Sequence, residues 1–380
     1  MKFSKGWIKI AIVLMLSGLL LTGFTACAAE GDFKKMFQGK GETKTHQFSE
    51  SFESIIIEAE EAGIVSVMLS EDGVCHVSCD ETARITYGVE IRDGVLVITE
   101  NDQRRWYERI FSFGNSRMIE VCLPEAEYEA LNVIADTGDV TVGNLSVKNV
   151  NLKASTGDVT LSDSTVAGDV SLEVSTGKIW AENISCEGDL QTVSSTGRTD
   201  FLNVACRSLT AYGNTGDMSA YALKIAEACS ITRSTGDVIL ENGEYGSLSV
   251  VTDTGDIIVT DAVCGGEMYT EVSTGDNKLT NVTCGSFKTT GSTGGLKMTN
   301  FIASERFSIL RDTGNVTFDR CDAAEISVTV DTGSVTGTLL TDKIFMAESD
   351  TGRIDVPKTT SGGVCEITTD TGNIRISIAD

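Results

Sequence analysis

The chain has 380 residues, of which 55 are acidic and 30 basic, giving a formal net charge of −25. Such a charge repels nucleic acid and a bare anionic membrane surface, so neither is expected as a partner of the main body. Two prolines, 38 glycines and 41% hydrophobic residues suit strands with tight turns around a long, thin core.

The first residues have the order of an export signal. Lys2, Lys5 and Lys9 precede a largely apolar run over 10–26, and seventeen residues after a basic stretch suit a secretory signal better than a spanning helix. The run ends Phe24-Thr25-Ala26-Cys27, which resembles a bacterial lipobox with Phe24 in place of the usual leucine. Cys27 is then the lipidated residue. Cleavage after Ala26-Cys27-Ala28 and an uncleaved anchor are the alternatives. All three export the rest of the chain, and lipidation tethers it to the bacterial cell membrane. Residues 1–27 are therefore read as signal peptide, lipobox or membrane anchor, and the polar, Gly/Lys-rich 28–42 as a tether.

Residues 43–124 carry strand patterns without a fixed period, at 54–58, 64–69, 74–79, 84–91, 95–99 and 118–123. Turn signals separate them at Glu71-Asp72-Gly73 and Arg92-Asp93-Gly94. This N-terminal β region is expected to cap the first coil of the repeats beyond it. Within it, Cys75, Val77 and Cys79 share one face of a strand and His76 the other, with the sulfurs about 13 Å apart, which suits packing rather than a metal or a disulfide. The segment 103–117 is different. Arg104, Arg105, Arg109 and Arg117 interleave there with Trp106, Tyr107, Phe111 and Phe113 in an otherwise acidic protein. Arginine and aromatic side chains are favoured in interface cores, so this loop is the candidate partner-binding or membrane-surface element.

From 125 to 380 one feature governs the chain. A Thr-Gly pair returns thirteen times, from Thr137-Gly138 to Thr371-Gly372, at intervals of 19 or 20 residues. A period of that length indicates a repeat architecture. Apolar residues stand two and four places after most of the glycines (Val140 and Val142, Val159 and Leu161, Val238 and Leu240) and seven places before each (Leu131, Val150, Val170, Leu190, Leu209, Cys229). Alternation of this kind turns one strand face inward. The expected fold is all-β, a parallel β-solenoid of about thirteen two-strand coils, roughly 60 Å long at about 4.8 Å per coil. Ser or Asp before the Thr-Gly pair is a turn residue. A second polar column six places after the glycine (Asn144, Asp163, Asn183, Asn203, Asn242, Asp261, Asn281, Asn300) is read as the far turn, in αL, with side chains laddering from coil to coil.

Three departures inside the repeat are candidate sites. Asp217, Asp237, Asp256 and Asp276 follow the glycine in four consecutive coils, and carboxylates about 5 Å apart either splay into water or share cations; weak Ca²⁺ binding is the functional reading. Cys186, Cys206, Cys264 and Cys284 form two stacked pairs whose spacing favours a buried thiol ladder over disulfides, as in a reducing habitat. Lys178 and Arg198 beside Trp180 are the one step suited to gripping an anionic sugar. No cofactor is expected.

Taken together, Phe52-Glu53-Ser54-Ile55, the Asp93-Gly94-Val95-Leu96-Val97-Ile98 hairpin, Val121-Cys122-Leu123-Pro124 and the repeated Ser/Asp-Thr-Gly-Asp-Val unit resemble the putative-adhesin β-strand-repeat family of bacterial cell-envelope proteins, a domain of unknown function. The resemblance spans roughly residues 48–380. It implies an exported, membrane-tethered β-solenoid and supplies no catalytic residues. Both histidines, His46 and His76, lie outside the repeats, and no acid–base pair converges at a break in the period. The expected function is thus non-catalytic: a binding or structural surface at the envelope, with an envelope protein or wall polymer as partner. An envelope assembly or stress-response component acting through a protein is the alternative, and a polysaccharide-acting β-helix enzyme comes after it.

Overall fold

All coils but the outermost, that of Gly352, bury nearly the same offsets from their Thr-Gly glycine. Around Gly157 these are Val150, Leu152 and Ala154 before it and Val159, Leu161, Ser164 and Val166 after it. One period later they are Val170, Leu172 and Val174, then Ile179, Ala181, Ile184 and Cys186. Backbone pairing runs parallel and in register with the period: Val150 lies between Leu131 and Val170, and Val159 between Val140 and Ile179. The structure, a computed structural model, describes residues 41–104 and 117–379. It is an all-β parallel solenoid, and every regular element among the described residues is a strand.

The αL column is present, with φ between +47° and +58° at Asn144, Asp163, Asn183, Asn203, Asn242, Asp261, Asn281 and Asn300. Its place differs from the far turn expected. Asp163 lies inside the strand Val159–Val166, and Asn183 inside Ile179–Cys186. One left-handed residue bends the strand and moves the inward phase from Val159 and Leu161 to Ser164 and Val166, so one strand lines two sides of the coil. The far turn comes at 167–169 and its equivalents. The column does ladder: Asn183 Nδ2 donates to Asp163 Oδ1 at 2.8 Å and Asn203 Nδ2 to Asn183 Oδ1 at 2.9 Å.

The glycine column sets how closely coils approach. Gly255 has φ +143°, and a Cβ placed on it would sit 2.2 Å from the carbonyl oxygen of Gly236 in the coil below. The same close approach to a backbone carbonyl, at 1.7–2.2 Å, repeats through all thirteen Thr-Gly glycines. The turn therefore forbids a side chain sterically as well as through its dihedral.

Both ends depart from chain order. At the N-terminal end the elements are β1 (Glu42–Phe48), β2 (Ser54–Ala59), β3 (Ile64–Leu69), β4 (Cys75–Glu81), β5 (Ile85–Arg92), β6 (Val95–Asp102), β7 (Met118–Leu123), β8 (Glu127–Thr137) and β9 (Asp139–Gly143). β2 and β3 stack parallel on β8 and β9, and β6 and β7 stack parallel on β2 and β3. The parallel stack thus starts well before residue 125. β5 and β4 close it by antiparallel pairing with β6 and β7, and β1 pairs antiparallel with β4.

At the other end the last coil in sequence is not the last in space. The strand Gly363–Thr371 pairs with Glu325–Thr332 on one side and Lys343–Ser349 on the other, and Ile374–Ile378 lies between Val335–Leu339 and Ile354–Asp355. The C-terminal strand is consequently covered by its own chain. Cys365, Ile367 and Ile374 are fully buried, while the outermost coil leaves Met346 and Ile354 exposed. Gly363 makes the crossover possible, since a Cβ there would lie 1.7 Å from the Ala324 carbonyl oxygen.

Gly255→Ala should cost more than about 4 kcal/mol, because the obstructing atom is backbone and cannot step aside. Equilibrium urea denaturation measures it, and a loss under about 1 kcal/mol would mean that the coils can separate locally.

Candidate functional site

The longest stretch between consecutive strands, residues 103–117, separates β6 from β7. β2 and β3 are joined by residues 60–63, which lie against Thr137-Gly138: Thr137 N–H donates to Glu60 O, and Asp139 N–H to Gly63 O. β6 and β7 stack on β2 and β3 residue for residue, so β6 ends and β7 begins on the side of the stack where Thr137-Gly138 turns, in the outermost parallel coil. Of the residues expected to bind a partner, Arg105, Trp106, Tyr107, Arg109, Phe111 and Phe113 lie outside the described residues.

Arg104 and Arg117 flank the insertion, and both side chains are 7% exposed. Arg104 grips Asp102 through two bonds, Nε to Oδ1 at 2.9 Å and Nη2 to Oδ2 at 2.8 Å, and also pairs with Glu61. Arg117 Nη2 donates to the Glu61 carbonyl at 2.5 Å and approaches Glu100 Oε1 at 3.9 Å. Burial pushes the Glu100 carboxyl up, against the Glu61 N–H and Arg117, which favour its anion. Arg104, expected to face a partner, is therefore an anchor at the base of the insertion. Its planar fork holds the end of β6 in place.

The aspartate column is a ladder of carboxylate–amide bonds. Asp237 N–H donates to Asp217 Oδ1 at 3.0 Å, Asp256 N–H to Asp237 Oδ1 at 2.8 Å, Asp276 N–H to Asp256 Oδ1 at 2.9 Å and Gly295 N–H to Asp276 Oδ1 at 2.9 Å. Each carboxylate spends one oxygen on the next coil, leaving the other outward. Lys278 Nζ sits 2.7 Å from Asp256 Oδ2 and 3.7 Å from Asp276 Oδ2. Burial alone would raise the Asp256 carboxyl, but Lys278 and the Asp276 amide outweigh it and hold it below the usual range. Among the described residues no group of three or more His, Cys, Asp or Glu side chains is placed to hold a metal. Each carboxylate of the column is met by an amide of the next coil, and Asp256 and Asp276 by Lys278 as well.

The Lys178–Arg198 step is also internally compensated. Both cations meet Asp200, at 3.3 Å and 2.6 Å, while Lys178 Nζ lies 4.2 Å from the centre of the Trp180 ring. An anionic sugar would compete with a carboxylate already in place. His76 faces outward between Asp72 Oδ2 at 2.8 Å and Gln47 at 3.2 Å, with Cys75 and Cys79 buried behind it. Cys75, Cys79, Cys186, Cys206, Cys229, Cys264, Cys284, Cys321 and Cys365 are buried thiols outside any disulfide. Burial pushes Cys206, Cys284 and Cys365 up to about 12.

Two residues escaped the sequence reading. Arg233 and Arg311 occupy the inward position three residues before their Thr-Gly glycines and are 1% and 0% exposed. Burial lowers each guanidinium to about 10. Counting offsets from Gly236 and Gly314 would have found them, because every other residue in that column is small, apolar or hydroxylated.

Asp237→Ala should destabilise by about 1 kcal/mol through the lost acceptor, whereas Asp237→Asn should be within about 0.5 kcal/mol of native, since Asn315 Oδ1 accepts the same bond from Ser334. Chemical denaturation of both variants checks this, with equal losses counting against the ladder. Native protein at pH 8 should leave the nine buried thiols unreactive towards a chromogenic disulfide reagent until urea is added.

A family model described as Toastrack DUF4097 matches residues 52–276, more than half of the chain. No curated protein matches. Among solved structures, one described as a putative cell adhesion protein from Clostridium sporogenes is 9% identical with a TM-score of 0.30, covering 51% of this chain and 100% of its own. A putative adhesin from Bacteroides fragilis is 11% identical with a TM-score of 0.24, covering 88% and 97%. A putative lipid binding protein from Parabacteroides distasonis is 11% identical with a TM-score of 0.23, covering 89% and 98%. On the family match and the stacked Thr-Gly coils that underlie it, the chain belongs to the Toastrack DUF4097 family.

Proposed function

We propose that the protein is an exported, membrane-tethered, non-catalytic module of the bacterial cell envelope that binds an envelope protein or wall polymer in the manner of an adhesin. The observation that carries this reading is the corner insertion. Most Thr-Gly corners of the repeats take one or two residues between strands, and 60–63 take four between β2 and β3; fifteen residues, 103–117, lie between β6 and β7. Arg104 and Arg117 pin both ends of it to Glu61, Glu100 and Asp102. Buried ion pairs are expensive to assemble, so their use at a loop base is understandable where the loop's departure angle matters. The insertion contains Arg105, Trp106, Tyr107, Arg109, Phe111 and Phe113, residue types favoured where one protein surface meets another.

The N-terminal tether supports the same reading. Residues 28–42 lead into β1, which belongs to the same end of the stack as the insertion. An anchor at Cys27 would hold this end near the membrane while the remaining coils project outward. The working corner would then face the envelope layer next to the membrane.

In intact cells, chemical crosslinking and affinity recovery should retain a membrane protein or wall polymer with the native chain. A variant with 105–116 replaced by Gly-Ser, keeping Arg104 and Arg117, should lose it. Equal recovery by both would move binding to the coil faces, and recovery by neither would reject a binding role. Labelled palmitate should enter the native protein and not Cys27→Ser; label in both would rule out Cys27 as the lipidated residue.

A further inference from the structure

The interior around Arg233 contains hydrogen-bond donors without an acceptor. Ser194, Gly213 and Arg233 stack on one another in three successive coils. A Cβ on Gly213 would lie 1.7 Å from Arg233 Nη1 and 2.5 Å from Cζ, so the guanidinium has left its own coil and fills the level of the coil before. None of its three nitrogens has a hydrogen-bond partner, and neither do the buried hydroxyls of Thr192 and Thr199 in the coil beyond. All five atoms can donate. The coil between them carries small side chains in its interior, with Ala211, Gly213 and Ala220 at inward positions.

Arginine keeps its proton, so this charge must be met by something. Among the described residues no carboxylate forms an ion pair with Arg233. Asp200 and Asp217 act on it only at longer range. Asp200 is already held by Lys178 and Arg198, and Asp217 is exposed with Oδ1 bonded to the Asp237 amide. Burial of a bare ion in a low-dielectric core costs several kcal/mol even after relaxation.

Arg311 provides an internal comparison. It too lies against a glycine, with a Cβ on Gly291 falling 1.7 Å from its Nη1. There, however, the protein supplies an acceptor to one of the three nitrogens, while Nε and Nη1 have none. Arg311 Nη2 donates to Thr289 Oγ1 at 3.2 Å, and the Asn277 carboxamide places an unpaired Oδ1 in the same polar cluster while its Nδ2 bonds Thr270 and Thr289. A carbonyl oxygen there repels an anion and accepts from water.

We infer that the core between Arg233 and the hydroxyls of Thr192 and Thr199 binds one small inorganic anion of chloride size, and that the Arg311 cluster does not. The anion would accept from the guanidinium and both hydroxyls, clamping three successive coils together. The stability of the rod then depends on chloride.

Crystals grown with bromide in place of chloride should give an anomalous peak beside Arg233 and none beside Arg311. In solution, replacing chloride by gluconate at fixed pH and ionic strength should lower the Tm of the native protein and of Arg311→Met. Arg233→Met, which fills the space with an unbranched apolar chain, should lose the dependence. If that variant fails to fold, the bromide map of the native protein still decides. Density at Arg233 without an anomalous signal, meaning water alone, overturns the inference, as does a native Tm indifferent to chloride.

Discussion

Everything in this molecule is keyed to a contact in which one peptide rests on another. At each Thr-Gly turn the α-carbon lies over a backbone carbonyl of the neighbouring coil, so close that no Cβ fits between. Because the contact recurs every 19 or 20 residues, it fixes the strand register on both sides of the turn, and one slipped residue would turn a whole interior face outward. The αL column does the complementary task. It bends the strand once per coil and ladders through Asn and Asp side chains, so the bend is aligned along the stack.

A stack of open coils has two dangerous edges, and the chain manages both by leaving sequence order. At one end β2 and β3 slip between the coil of β8 and β9 and the coil of β6 and β7, with antiparallel β4 and β5 beyond. At the other end the final coil tucks beneath its predecessor, and the outermost coil is reduced to Lys343–Ser349 and the two-residue Ile354–Asp355 before Pro357. Short edge strands and a proline that cannot donate discourage pairing with other chains. β6 and β7, which residues 103–117 join, belong to the N-terminal arrangement.

A thin core leaves little room for polar groups, and those present are informative. Thr252 Oγ1 and Thr369 Oγ1 bond turn carbonyls of neighbouring coils, and Lys343 meets Asp322 at 2.6 Å. The aspartates after the glycines are met by amides. Against that background the unpaired guanidinium of Arg233 stands out as a charge for which the protein provides no partner of its own.

The sequence by itself determined the repeat, the all-β class, the inward columns and the thiols, because each arises from a local periodicity that one strand imposes on its own side chains. The alternate burial of Cys75, Val77 and Cys79 was legible for the same reason. It could also place αL residues, since Asn and Asp six positions after glycine carry that preference alone, but not their location inside a strand rather than at its end. Which coil lies on which was decided only in three dimensions: Ile326 pairs with Cys365 and not with Phe345, although the period treats all three alike. Arg104 as an anchor, Asp200 between two cations and Arg233 beneath Gly213 also became visible only in the fold. These relations join residues about one coil or more apart in the chain, or depend on which atoms a side chain meets, and periodicity specifies neither.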